Sequence, residues 1–296
     1  KKGDLIILES TSPVGTTDDI AKKLQSVGLG SDKVRLAYCP ERVLPGNAFD
    51  ELINNDRVIG GIDSVSATLA SNFYSAFIRG KVYTTNARTA EMCKLTENSY
   101  RDTNIAFANE VSMLCDKYEI DVWDLISFAN MHPRVNVLQP GVGVGGHCIA
   151  VDPWFIISSS PEDSPLIQAA RNRNVSKTKW VIEQILKTAS LRSAELGRDI
   201  KIACLGLSFK PDIDDLRGAP AINVIGALKE AGYSTVVVEP NIKSYGDFEL
   251  VTLDKSFETA DLHVILVRHR EFLDPFMVDK LKQIGALDFC GALSVG

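Results

Sequence analysis

The chain has 296 residues, 45% of them hydrophobic and 24% charged, and a net charge of −6. That length suits about two domains. The acidic balance leaves no basic face for nucleic acid, and no apolar run approaches the ~20 residues needed to span a bilayer. No signal peptide is expected ahead of the first strand. The opening, KKGDLIILES, has no Met and enters a strand at once, which suggests that further sequence lies upstream. Six cysteines are present, none in a CxxC pair, and several sit in apolar segments. This usage suits a reducing cytoplasm better than a disulfide framework, and Cys148 is the one expected in an exposable loop.

Leu5–Leu8 reads as a short buried strand, followed by a helix to about Val27 with Thr17 or Asp18 as its cap. Val34–Tyr38 and Arg57–Ile62 read as strands, Ser64–Phe77 as a helix and Lys81–Thr85 as a strand. Strands alternating with helices imply a layered α/β sheet. From Thr89 the period changes, and about thirty residues pass without Gly or Pro. This predicts one long helix to about Ile120, of a length that often joins domains or forms a dimer seam. Val122–Asn130 and Asp163–Ala194 read as further helices. A second α/β unit then begins. KIACLGL is a strand, SFKPDIDDLRGAP a loop and AINVIGALKEAG a helix closed by Gly232. STVVVE and Leu262–Val267 are strands. Glu239 ends its second strand, as in a dinucleotide fold, but the first turn lacks GxGxxG and with it the usual pyrophosphate grip.

Residues 140–154, PGVGVGGHCIAVDPW, crowd four glycines ahead of Cys148. A thiolate there could act as a nucleophile, the glycines would let a substrate approach the backbone, and His147 and Asp152 could handle protons. A buried cysteine beside a tight turn is the bland alternative. Lys94, Asn98 and Arg101, spaced four and three apart, share a helical face and suit an anionic ligand, although a solvated face has the same pattern. Glu41 lies just past one strand and Phe209 and Lys210 just past another, where open α/β sheets bind ligands. A surface turn, a core Phe and a solvated Lys would look the same. His132 and Arg134 precede the glycine loop, and a lone His is more often structural than a ligand. No cluster has zinc or iron spacing, so no metal is expected.

Together STSPVGTT, AYCPERVLPG, NDRVIGG, TAEMCKLTENSYRDTNIAFANE, HPRVNVLQPGVGVGGHCIAVDPWFI and GLSFKPDIDDLR resemble the UDP-glucose/GDP-mannose dehydrogenase family over nearly the whole chain. The resemblance implies an α/β fold in three parts. These are residues 1–86 as the remainder of an N-terminal Rossmann NAD-binding domain, 87–195 as a central helical domain with the catalytic loop and a dimer seam, and 196–296 as a Rossmann-like UDP-binding domain. The family's GxGYxG fingerprint is expected upstream of Lys1.

The resemblance also implies two successive NAD-dependent oxidations of a sugar C6 alcohol through a thiohemiacetal and a thioester on Cys148. Lys94 and Asn98 would stabilise the alkoxide, Asp152 would position water and Glu41 would serve the hydrolytic step. Arg42, Val43, Arg101, His132, Arg134 and Gly145 would line the sugar-nucleotide site, with His132 and Arg134 donated across a homodimer. Phe209 and Lys210 would hold the nucleotide, and Thr11, Thr17 and Arg217 would touch NAD.

The departures are specific. Ile149-Ala150-Val151-Asp152 replaces the Phe-Pro-Lys-Asp of glucose-specific relatives, and Glu41-Arg42-Val43 replaces their Glu-Phe-Leu. Both point to an N-acetylated hexosamine, with UDP-N-acetyl-D-mannosamine the expected substrate. UDP-N-acetylglucosamine, another nucleotide sugar, or an inactive nucleotide-sugar-binding fragment are the alternatives. Cys290 stands where a lysine is usual, and LRGAP lacks the acidic residue common after Arg217.

Overall fold

The computed structural model describes residues 3–43 and 48–294. Leu44, Pro45 and Gly46, quoted above within AYCPERVLPG, lie outside them. The chain divides into two units, residues 1–99 with 152–164 and residues 100–151 with 165–296.

The first unit holds a four-stranded sheet in the order β1 (Asp4–Leu8), β2 (Val34–Tyr38), β3 (Arg57–Gly61), β4 (Val82–Asn86). Pairing is parallel except between β2 and β3, which run antiparallel through Ala37↔Gly61 and Tyr38↔Gly60. β1 was expected to be buried. Its residues are part-buried to exposed here, and it pairs with β2. The core of this unit, Ala37, Cys39, Ile59, Ala70, Tyr74 and Ile78, packs α3 (Ser64–Ser75) onto β2 and β3. Asp63 caps α3 by accepting the amide of Ser66 at 2.7 Å.

α1 (Thr16–Ser26) begins differently from expectation. Its cap is Gly15, in the left-handed region at φ 96°, and neither Thr17 nor Asp18 caps it. The cap comes from a distant side chain. Glu91 accepts the amides of Gly15 and Thr17 at 2.6 and 2.8 Å, and the Thr17 hydroxyl at 2.6 Å. A carboxylate there also meets the positive end of the helix dipole. Two short helices escaped the sequence pattern, α2 (Ala48–Asn54) and α6 (Pro153–Ser159). Both are about two turns long, too short for a period to show.

The long helix is present as α4 (Ala87–Lys117), and its residues from Tyr100 onward belong to the second unit. That unit also contains α5 (Val122–Ala129), α7 (Pro165–Leu196) and a sheet in the order β6 (Ser234–Val238), β5 (Lys201–Leu205), β7 (Leu262–Ile265), β8 (Leu287–Asp288), parallel throughout. Its strands are apolar runs because both faces are covered. Val181, Ile185, Val224, Ile225 and Leu228 of α7 and α8 (Pro220–Glu230) pack one face, and Phe272 and Leu281 the other. α9 (Leu253–Thr259), α10 (Pro275–Gln283) and β8 were not legible in the sequence. No helix of the described residues is long and apolar enough to cross a membrane.

Candidate active site

In the first unit, α4 presents Lys94 and Asn98 on consecutive turns, 9% and 6% exposed. Lys94 Nζ donates to the backbone carbonyl of Glu41 at 2.7 Å, just beyond the end of β2. Asn98 Nδ2 donates to Asp152 Oδ2 at 2.5 Å. Asp152 stands at the N-terminus of α6, yet no hydrogen bond from its side chain caps that helix. A buried lysine and a buried amide therefore lie on consecutive turns of α4, and the amide holds a buried carboxylate from the start of α6. Such groups are costly to bury unless paired, and each of them has a partner here.

The rest of the β2 terminus is ionic. The Glu41 carboxylate accepts the Arg42 amide at 2.6 Å and faces Arg57, which is 1% exposed, at 3.5 Å. Arg42 pairs with Glu97 at 2.6 Å and reaches the Cys93 sulfur at 3.3 Å. Val43 is half-buried. Arg57 and Glu91 were missed as organising groups. A buried Arg inside NDRVIGG and a buried Glu inside TAEMCK carry no local signal, because their partners lie far away in the chain.

Thr11 lies half-buried just beyond β1, at the strand end where open sheets take ligands. Thr17 is fully buried with its hydroxyl on Glu91. The amides of Gly15 and Thr17 are likewise taken, so α1 offers no phosphate grip at these groups. Thr11 is thus the group of this pair left at the strand end, while Thr17 is committed to Glu91.

In the second unit, Cys148 lies partly buried in the turn after the glycines. It was expected to be the one accessible cysteine, but Cys93 and Cys290 are equally part-buried, whereas Cys39, Cys115 and Cys204 are buried. The Asp212–Gly218 loop lies against the Cys148 turn, with the amide of Gly146 donating to Arg217 O at 2.9 Å. Arg217 forms a bidentate pair with Asp215, 2.9 Å from Nε and 2.6 Å from Nη2. That pairing raises the guanidinium pKa, and the Cys148 sulfur acts in the same direction.

The glycines differ from the expected substrate cradle. A Cβ on Gly145 would meet Gly218 O and Phe209 Cβ at 2.7 Å, and one on Gly146 would meet the Phe209 ring at 3.1 Å. One on Gly143 would overlap the Thr178 hydroxyl. These three are small because protein packs against them, and the Phe209 ring is part of that packing. Lys210 stands exposed beyond it.

Glu239 occupies the turn where the glycine fingerprint is missing. It is buried, and its Oε2 accepts the amides of Leu207 and Ser208 at 2.8 and 3.1 Å, the turn where a dinucleotide fold would hold phosphate. His269 Nε2 lies 3.0 Å from the same oxygen. Burial works to raise the pKa of Glu239, but these partners outweigh it and hold the carboxyl at about 2.

Arg101, His132 and Arg134 are exposed in this unit. Among the described residues, Asp212, His269 and Glu271 bring three ligand-type atoms within 4.8 Å of one another. The imidazole is already engaged, with Nδ1 accepting the Asp212 amide at 2.9 Å and Nε2 facing Glu239, which leaves no lone pair for a cation.

With this geometry in hand, the chain matches the UDP-glucose/GDP-mannose dehydrogenase family in all three of its domains. The NAD binding domain matches over residues 1–78, the central domain over 88–176 and the UDP binding domain over 203–289. The chain belongs to this family. It is 51% identical over 295 residues to the UDP-N-acetyl-D-mannosamine dehydrogenase of Campylobacter jejuni, covering 93% of this chain and 70% of that protein. It is 50% identical over 287 residues to the NDP-N-acetyl-D-galactosaminuronic acid dehydrogenase of Ralstonia solanacearum, covering 92% and 66%. Among solved structures, the UDP-D-ManNAc dehydrogenase of Pyrococcus horikoshii superposes with a TM-score of 0.87 at 36% identity, covering 98% of this chain and 70% of that one.

Proposed function

We propose that the protein carries out the NAD-dependent, four-electron oxidation of the C6 alcohol of UDP-N-acetyl-D-mannosamine to the uronic acid. The identity to the Campylobacter jejuni enzyme supports this substrate, as does Ile149-Ala150-Val151 after the cysteine. The observation that carries the chemistry is the buried Lys94–Asn98–Asp152 row, with Asp152 four residues beyond Cys148 in the chain.

When bound, NAD supplies the acceptor for both hydrides, so one alcohol, two NAD⁺ and one water give a carboxylate, two NADH and three protons. The chain's own groups do the rest. Lys94 holds the negative charge that develops on the C6 oxygen, and Asn98 shares that duty. The Cys148 thiolate adds to the aldehyde carbon to form a thiohemiacetal, whose oxidation leaves a thioester. Asp152, held by Asn98, takes a proton from the water that releases the carboxylate and restores the thiol. Glu41 assists that hydrolysis from the β2 terminus. Arg42, Val43 and Arg101 line the sugar nucleotide, with Gly145 offering backbone alone because Phe209 and Gly218 fill its Cβ side; Phe209 and Lys210 hold the base and phosphates, and Thr11 and Arg217 face NAD. The functional division is 1–86, 87–195 and 196–296.

The protein acts as a homodimer. Tyr100, Phe107 and Leu114 on α4 are 70%, 58% and 47% exposed and recur at seven-residue spacing, so one face of the helix is apolar and suited to a second copy of itself. His132 and Arg134 serve the neighbouring subunit's sugar nucleotide. Cysteines with no disulfide suit the cytoplasm.

A second reading keeps the chemistry and changes the N-acetylhexosamine, because a relative at 50% identity carries another sugar in its name. Counting NADH per nucleotide sugar separates the readings. Two per UDP-N-acetyl-D-mannosamine, with uronate lost in Cys148→Ala, is the expected result. Two with UDP-N-acetylglucosamine or a galactosamine nucleotide alone would move the specificity. None with any nucleotide sugar would leave a binding protein and overturn the reading.

A further inference from the structure

The loop that carries Cys148 is tied down by side chains with no part in the mechanism above. Asn109 Oδ1 accepts the amide of Gly141 at 2.9 Å. Thr178 Oγ1 donates to the carbonyl of Val142 at 2.8 Å. Arg171 Nη1 donates to the carbonyl of Ile149, the residue after Cys148, at 3.5 Å. All three groups come from α4 and α7, and they hold the backbone on both sides of the cysteine.

The groups are themselves held. Asn109 Nδ2 donates to Asn174 Oδ1 at 2.9 Å, and Asn174 Nδ2 donates to Asp102 Oδ1 at 2.8 Å and to Asp102 O at 3.0 Å. Arg171 Nε lies 3.0 Å from Asp102 Oδ2. Asp102, Asn109, Arg171 and Asn174 are all at most 2% exposed. Burial pushes the Asp102 carboxyl up to about 6 despite the guanidinium, so removal from water outweighs the attraction of the pair. A buried ion pair of this kind contributes little stability that apolar side chains of the same volume would not. What apolar side chains could not supply is a donor for Ile149 and an acceptor for Gly141. Gly143, at φ +140°, fits because a side chain there would collide with Thr178.

We propose that Asn109, Arg171 and Thr178 are positioning residues for Cys148, a polar clamp that sets the sulfur's place for attack on the aldehyde. The inference rests on the nucleophile reading of Cys148. Alcohol oxidation does not use the sulfur and aldehyde oxidation does, so a clamp acts on the second step alone. Misplacing a nucleophile by about 1 Å costs on the order of 100-fold.

Thr178→Val removes one hydroxyl at constant shape. In the enzyme with UDP-N-acetyl-D-mannosamine, the expected result is a roughly 10-fold slower aldehyde oxidation. The alcohol step, followed with the aldehyde trapped by semicarbazide, and the sugar-nucleotide KM should stay within about twofold, while hydrogen exchange over 141–149 becomes faster. Thr178→Ser should restore the second step. The double variant Asp102→Asn/Arg171→Met, which leaves no buried charge, should show the same selective loss. Parallel slowing of both oxidations would reduce these groups to a structural role and overturn the proposal, as would an unchanged second step in Thr178→Val. Cys148→Ala tests the underlying reading separately. Intact uronate formation there would overturn the nucleophile role whatever Thr178→Val shows.

Discussion

Asn98 donates its side-chain amide to Asp152 at 2.5 Å, so a helix residue fixes a carboxylate 54 positions later in the chain. Both are buried, and no hydrogen bond from Asp152 caps the helix that it begins. Asn98→Ala leaves that carboxylate without this donor. The expected cost is about 1–3 kcal/mol in stability, read by urea unfolding. The release of uronate should slow more than the first NADH burst. A variant with wild-type stability and wild-type steady-state rate would remove the pair from both roles.

Two glycines of the loop that carries Cys148 should respond unequally to one methyl. Gly143→Ala places a Cβ on the Thr178 hydroxyl at a left-handed φ, and should cost about 1–3 kcal/mol. Gly141→Ala meets nothing within 4 Å and should stay within about 0.5 kcal/mol of wild type. Thermal melts of the two variants side by side decide the point.

Glu239 should make the protein acid-labile. Its folded pKa of about 2 lies below the ordinary 4.5. The unfolded chain therefore binds the proton first, and the stabilisation present above pH 4.5 is lost as pH falls toward 2. Glu239→Gln turns an amide donor either toward the Leu207 and Ser208 amides and the His269 ring, or toward the backbone and side-chain amides of Asn241. It should lower stability at pH 7 and flatten the decline between pH 4.5 and 3. A melting profile parallel to wild type would contradict this.

Lys177 should add a slope of the same sign at higher pH. It is 2% exposed, donates to Ser112 at 2.7 Å and lies 3.8 Å from the Trp180 ring centre. Burial lowers its pKa to about 7 from 10.5. Between those values the unfolded chain holds the proton that the folded chain has released, so stability rises with pH across that window. Lys177→Met should abolish the rise, measured as unfolding midpoints at pH 7, 8 and 9.

The α4 face predicts the assembly. Phe107→Glu puts a charge in the middle of the Tyr100–Phe107–Leu114 stripe. Sedimentation velocity should show a dimer for wild type and a monomer for the variant. A monomer at micromolar wild-type concentration would remove the seam.

Much of this protein was legible in its residues because the informative signals are local. A run of about thirty residues without Gly or Pro can be read as α4 without knowing its surroundings, and apolar blocks ending in turn residues mark β2, β5 and β6. The glycines around Cys148, the Lys94–Asn98 spacing and the family motifs are also written in short stretches. Tertiary structure alone decided which polar groups meet. Glu91 closes the start of a helix 76 residues before it, Asn109 reaches the glycine loop across 32, and Glu239 captures amides 31 and 32 residues away. It also decided that three of the loop glycines face Thr178 and Phe209. Periodicity reports which face of an element is apolar. The partner of a buried charge is fixed only when folding removes water from both groups at once.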